Sequence, residues 1–466
     1  MANLKSKAFW ITFGDIESRG LAFFTTIYLA RVIGAEYYGL ITLALSLLGY
    51  ALWFTDLGLL NIGTRETAKE PLKRIFRVKE IFNLKLFLGL GTLLFSFAIL
   101  SSSSLGGLEK DVIGRYLLAI IPFAIIMEWY YNGRQQFEKI AFAKFMQGAV
   151  YFLLVIIFIH VPADIKKVPV FYVLGITSTA LVYGIFSIRE KPFVLPSRGM
   201  QIYPDLLKSG VILGLGSFFL QTVQLLPPIL IGTMLSLKDA GIFGASFKVV
   251  VLATMADRVF VNLLLPNLAS SWSTNKALTI KRVNTILKFV AIGGIGLALL
   301  ISLLSTELVQ LLYGKEYLQG APIVSILSIF IGATFINSLF SYGLIAIGRD
   351  KEYLQSSGLG GLISIFLIVV AAFFGNIKIV AMAVSASEII ITLIAFHWFR
   401  KYIPINSNST IAIPFVTGFL LFLSSYIIHL NTIVEAFVLC VLYVAIMFFI
   451  NVISVDDLKW LKDNVN

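Results

Sequence analysis

Residues 353–399 read YLQSSGLGGLISIFLIVVAAFFGNIKIVAMAVSASEIIITLIAFHWF. Two apolar runs flank a short break at 375–378, and each is long enough to cross a bilayer, which takes about twenty residues of helix. One acid, Glu388, interrupts the second run. Outward from this hairpin, stretches of the same kind recur at about 8–32, 37–63, 81–101, 112–132, 136–160, 168–188, 207–235, 240–270, 284–304, 321–347, 409–430 and 433–454. With 353–375 and 378–399 they predict about fourteen transmembrane helices.

Composition agrees with this reading. The 466 residues are 58% hydrophobic, 14% aromatic and only 13% charged; a soluble domain would carry about a quarter charged residues. Mean hydropathy is +0.91. The fold class expected is therefore an all-α integral membrane protein, which excludes a soluble enzyme, a secreted domain and a disordered chain. The opening MANLKSKAFW runs directly into an apolar span without a cleavage-site pattern, so it reads as a retained first helix.

Charge then orients the chain. With the N-terminus in the cytoplasm, alternation of the spans places most Lys and Arg on the inner side, including Arg65, Lys69, Lys73, Arg74, Arg77, Lys79 and Lys85 around one connector. That is the positive-inside pattern, and it puts both termini in the cytoplasm of a multi-pass protein of the cytoplasmic membrane. The net charge of +12 thus reflects topology and the anionic inner leaflet, and nucleic acid is not an expected partner. The single cysteine, Cys440, excludes an internal disulfide and a multi-cysteine metal site. His160, His397 and His429 lie far apart in sequence, so neither a metal nor a cofactor is expected.

The longest polar connector, REKPFVLPSRGMQIYPDL (189–206), holds three prolines among charges and reads as an ordered linker. It divides the chain into a six-helix lobe at 1–200 and a second six-helix lobe at 201–402. An accessory helix pair and cytoplasmic tail follow at 403–466. Both lobes begin on the same side, so their repeat is parallel, about an axis along the membrane normal. Tyr37-Tyr38-Gly39 has an echo in Ile242-Phe243-Gly244 at the corresponding turn. The final pair has almost no polar side chain within its spans beyond Ser and Thr and is expected to face lipid.

Ionisable residues inside spans are costly, and each is a functional candidate. Asp15 and Arg19 stack at i, i+4 on helix 1, while Glu17 points about 200° away from Asp15. These are either a neutralised packing pair or part of a cavity lining. In helix 8, Lys248, Arg258 and Asn262 fall within about 80° on the wheel. Two cations there suit an anionic headgroup, unless Asp257 or Glu128 pairs with Arg258. Helix 7 carries Ser217, Gln221 and Gln224 on one stripe, ahead of Pro227-Pro228, which would kink or hinge it. Thr334, Asn337, Ser338 and Ser341 form a similar stripe in helix 10, where packing through hydrogen bonds is the plainer reading. Glu128 in helix 4 is a candidate proton or cation site. Asp56 is placed to cap or hinge the end of helix 2. No phosphate loop, nucleophile elbow or paired carboxylates occur, and no loop is long enough for a catalytic domain. A transporter, not an enzyme, is expected.

Tyr28–Leu47 reads YLARVIGAEYYGLITLALSL, and Phe54–Glu70 reads FTDLGLLNIGTRETAKE. With LKDAGIFGASFKVV (237–250) and LLYGKEYLQGAPIVSILSI (311–329), the chain resembles polysaccharide exporters and O-antigen flippases of the multidrug/oligosaccharidyl-lipid/polysaccharide exporter superfamily. The resemblance implies a six-plus-six bundle around a central cavity, with two trailing helices. It further implies alternating-access transfer of an isoprenoid-diphosphate-linked glycan across the membrane for surface polysaccharide assembly. Membrane lipids, and a glycan polymerase or glycosyltransferases, are the other partners implied. Arg19, Lys248 and Arg258 would meet the diphosphate, and Gln221, Gln224, Asn262 and Asn337 the sugars. A coupling ion would act at Asp15, Glu17 or Glu128. The alternative is a cation-coupled antiporter of the multidrug and toxin extrusion type.

Overall fold

In the computed structural model the described residues are 2–68, 71–190, 203–257, 272, 275–405, 408–425, 427, 431–454 and 457. Among them the regular structure is helical throughout, with no strand. The helices follow from the sequence pattern directly. In a bilayer each backbone N–H and C=O must be bonded within the chain, and long apolar runs meet that demand only as helix.

Twelve helices among the described residues are long and apolar enough to cross a membrane, and the apolar helix Thr410–Ser424 is shorter. The first of the twelve, Gly20–Asp56, covers the spans expected at 8–32 and 37–63. At Gly34 (φ 78, ψ 171) the backbone leaves helical geometry, so two helices meet there at a kink. Over the residues described the expected stretches are helical, although 112–132 is broken into three short helices and 37–63 into two. In chain order the helices are α1 (Ala2–Asp56), α2 (Leu59–Thr67), α3 (Pro71–Ser102), α4 (Gly107–Leu117), α5 (Ile120–Ile125), α6 (Glu128–Gly133), α7 (Phe137–Phe158) and α8 (Val168–Glu190). They continue with α9 (Pro204–Met234), α10 (Leu237–Ala253), α11 (Lys276–Leu303), α12 (Ser305–Tyr313), α13 (Ala321–Ala346), α14 (Asp350–Phe373), α15 (Ile377–Phe399), α16 (Ile413–Ser424) and α17 (Thr432–Phe449).

By packing, the chain forms two units, Met1–Gly244 and Ala245–Asn466, with the division inside α10. In the first unit the second half of α1 lies against α9 and the start of α10, and glycine allows the contact at both ends. At the Gly34 end, a Cβ on Gly39 would overlap the Leu237 carbonyl, and one on Gly241 would overlap the Ala35 carbonyl. The two motifs read as an internal echo, around Gly39 and Gly244, are therefore neighbours in space. At the Asp56 end, Gly58 (φ +79) turns the chain into α2, and a Cβ on Gly210 would stand 2.6 Å from the Leu57 carbonyl oxygen. Between these ends, Trp53 Nε1 donates to the Gly214 carbonyl at 3.2 Å, and its ring stacks at 4.7 Å on Phe218.

The second unit is built around α13, which packs between α11 and α15, with α14 on α15. Hydroxyls join these helices. Ser302 and Ser325 share a bond of 2.7 Å, Ser385 Oγ donates to the Ile326 carbonyl at 2.9 Å, and Thr392 Oγ1 donates to the Ala333 carbonyl at 3.2 Å. Both α16 and α17 rest on α11 and expose Phe415, Phe419, Phe437 and Phe449. That outward surface suits acyl chains, as expected for the final pair. Lys288 of α11 pairs with Asp457 beyond α17 at 3.1 Å.

Candidate functional site

The polar stripe of α9 is the plainest candidate for contact with a polar cargo. Gln221 and Gln224 are both exposed, and no hydrogen bond from either amide occurs among the described residues. Their neighbours Thr222 and Val223 are buried, so the two amides stand on the opposite side of the helix from these packed residues. Ser217 is turned inward on its own helix, donating to the Gly214 carbonyl at 2.7 Å. Helix α9 runs on through Pro227 and Pro228. Neither proline has an N–H to give the residue four positions earlier, so the carbonyls of Val223 and Gln224 lose their usual helical donors.

Lys248 has a distinct setting on α10. Residues 240–247 and 249–250 are buried, and Lys248 is exposed between them. The cation thus leaves a tightly packed helix by its one open side. Arg258 and Asn262 lie outside the described residues. So do the side chains of Asp15, Glu17 and Arg19, which sit on the helical backbone of α1.

Three of the remaining candidate residues have definite surroundings. Glu128, at the start of α6, is paired with Lys144 of α7 at 3.1 Å. Asp56 Oδ2 accepts from the Leu60 N–H at 3.3 Å, which caps α2 as expected. Asn337 Nδ2 donates to Glu388 Oε1 at 3.0 Å, and Ser341 Oγ donates to Asn337 Oδ1 at 2.8 Å. Beside them Ser338 Oγ donates to the carboxylate of Asp257, itself only 5% exposed. The helix 10 stripe is thus a hydrogen-bonded seam to α15 and to the segment after α10.

One buried cation escaped the sequence reading. Lys85 of α3, grouped by sequence with the loop cations, is only 3% exposed. Its Nζ donates to the Ile126 carbonyl at 3.0 Å and stands 4.5 Å from the centre of the Phe123 ring. That carbonyl is free because the chain leaves helical geometry between α5 and α6, where Ile126 has ψ 126. The N–H of Tyr130 consequently bonds Met127, not Ile126. Asp56 and Glu128 act on the ammonium through space. A signal did exist: Val78, Ile81 and Lys85 are spaced i, i+3 and i+7 on one helical face, and all three are buried.

Comparison with known proteins follows from this architecture. The lipid II flippase MurJ, in its inward closed conformation, has a similar fold with a TM-score of 0.73 at 13% identity, covering 94% of this chain and 98% of that one. The MATE multidrug transporter DinF-BH gives a TM-score of 0.60 at 15% identity, covering 85% of this chain and 95% of that one. An inward-facing multidrug resistance MATE family transporter of the MOP superfamily gives 0.57 at 14% identity, with 84% and 97% covered. At such identities the likeness is one of fold. No curated protein sequence matches the chain. Residues 4–272 match the family described as polysaccharide biosynthesis protein.

Proposed function

This chain belongs to the polysaccharide biosynthesis protein family, and from that premise we propose that it is a flippase for a lipid-linked oligosaccharide. The cargo passes from the inner to the outer leaflet of the cytoplasmic membrane, with both termini of the carrier in the cytoplasm. The observation that carries this reading is the exposed pair Gln221 and Gln224 on α9. Amides held at bilayer depth with no hydrogen-bond partner among the described residues need water or a polar ligand to satisfy them, and sugar hydroxyls are such a ligand. Lys248 supplies a cation toward the diphosphate, with Arg19 and Arg258 as its partners in that role and Asn262 as a further sugar contact; Asn337, expected as another, is instead engaged with Glu388 and Ser341. The isoprenoid tail stays in lipid. Six-helix lobes at 1–200 and 201–402 rock against each other, with Pro227-Pro228 as the hinge, and a glycan polymerase or glycosyltransferases act on either side of the transfer.

The test is complementation of a deletion strain. Gln221→Leu with Gln224→Leu, and Arg19→Ala with Arg258→Ala, should each lower surface polysaccharide severalfold at normal expression. Full assembly by both double variants would defeat the proposal. The fold shared with multidrug transporters keeps drug export as the second reading. Drug sensitivity of the deletion strain with intact surface glycan would favour it.

A further inference from the structure

Glu388 lies at the middle of α15, only 7% exposed. Among the described residues it has no ion-pair partner. Its Oε1 accepts from the Asn337 amide of α13 at 3.0 Å, and the Thr334 hydroxyl one turn away on α13 also faces it. Both partners are neutral. The other charged and titratable groups on the packed elements stand apart. On α14, Asp350, Lys351, Glu352 and Tyr353 occupy the first turn, at one end of the helix. On α13 the one titratable residue is Tyr342, and on α15 itself Lys378 and His397 lie in the terminal turns. Asp257 reaches α13 through Ser338, the residue after Asn337.

A carboxylate held in apolar surroundings without a cation is among the costliest arrangements in a protein, and the cost vanishes when a proton neutralises it. By contrast Glu128, the acid that stood out first as a coupling candidate, already has Lys144 beside it. We propose that Glu388 is the site at which this carrier binds its coupling proton. In the packed state of α13 and α15 the carboxyl holds the proton, with Asn337 fixing its second oxygen. When the seam parts and water enters, the carboxyl releases the proton to that water and stands as a hydrated carboxylate. Reclosure requires a proton taken from whichever side then has access. This rests on the reading of the chain as an alternating-access carrier.

Glu388→Gln is the decisive variant, since the amide keeps the shape of the side chain and an oxygen for Asn337. Infrared difference spectra of the full chain in lipid, at neutral pH, should show a protonated-carboxyl C=O band in wild type that is lost in Glu388→Gln. Identical spectra would overturn the proposal. Because this measurement needs no cargo, it stands or falls separately from the identity of what is carried. In cells, Glu388→Gln should be made at normal level and lose surface polysaccharide assembly. Assembly at the wild-type rate would overturn the coupling role.

Discussion

Replacing Gly39 with alanine tests the crossing of α1 with α10 most directly. The added methyl would overlap the Leu237 carbonyl oxygen and lie 2.6 Å from its carbon and 2.9 Å from the Gly241 nitrogen. These are backbone atoms and cannot turn aside, so the helices must separate by well over an ångström before the carbonyl oxygen reaches ordinary contact, an overpacking that costs about 1–3 kcal/mol. Gly→Ala also favours helix by about 0.5–1 kcal/mol, which would blur the result. Gly184→Ala, on α8, removes that ambiguity. It is exposed with nothing within 4 Å of the new methyl, and it carries the same helical gain. The difference between the two variants therefore isolates the overlap. At roughly 2–4 °C per kcal/mol for a unit of this size, Gly39→Ala should unfold about 2–12 °C below Gly184→Ala. The assay is thermal unfolding of the purified full chain in lipid nanodiscs. Equal midpoints would refute the close crossing.

Lys85→Met keeps the length of the side chain but removes the charge. It leaves the Ile126 carbonyl unbonded and Asp56 and Glu128 without the cation between them. A loss of about 1–3 kcal/mol, the usual cost of leaving a buried acceptor unsatisfied, should lower the thermal midpoint in lipid nanodiscs; an unchanged midpoint would contradict this account. At the end of the chain, partial burial opposes the charge of Asp457, but the Ser454 N–H and Lys288 outweigh it and hold the carboxyl below its usual range. Such a group stabilises the fold above the ordinary carboxylate range and loses that contribution as pH falls through its lowered value. Asp457→Asn should therefore lower the midpoint at pH 7, and the gap from wild type should begin to narrow only as pH enters the ordinary carboxylate range and close once pH has fallen through the lowered value. A gap constant with pH would refute the pairing.

Much of the architecture was legible because lipid leaves few alternatives. Apolar runs of span length become helices, and length alone was enough to find them. What the runs could not convey is which helix touches which. Asn337 and Glu388 each stood out as polar residues in apolar surroundings, yet their bond joins positions 51 residues apart, beyond any helical periodicity. Lys85 was misplaced for a related reason. Its i, i+3, i+7 relation to Ile81 and Val78 marked a packed face, but a lysine near a span end is usually assigned to the water side. The bend that gives it a partner, at Ile126–Met127, has no proline or glycine to announce it. The echo of Gly39 in Gly244 was visible as a repeat, whereas its meaning as a contact needed the crossing itself.

The bond from Lys85 to Ile126 also constrains how the chain is made. Its two ends are 41 residues apart, so at about 5–20 residues per second the ribosome takes some 2–8 s to deliver the acceptor after the donor has emerged. For that interval a lone ammonium would have to wait at the threshold of the bilayer. The translocon is thus expected to retain α3 until the next segment arrives and to release the two as a pair, so that a ribosome stalled before Ile126 yields a nascent chain still extractable by alkali.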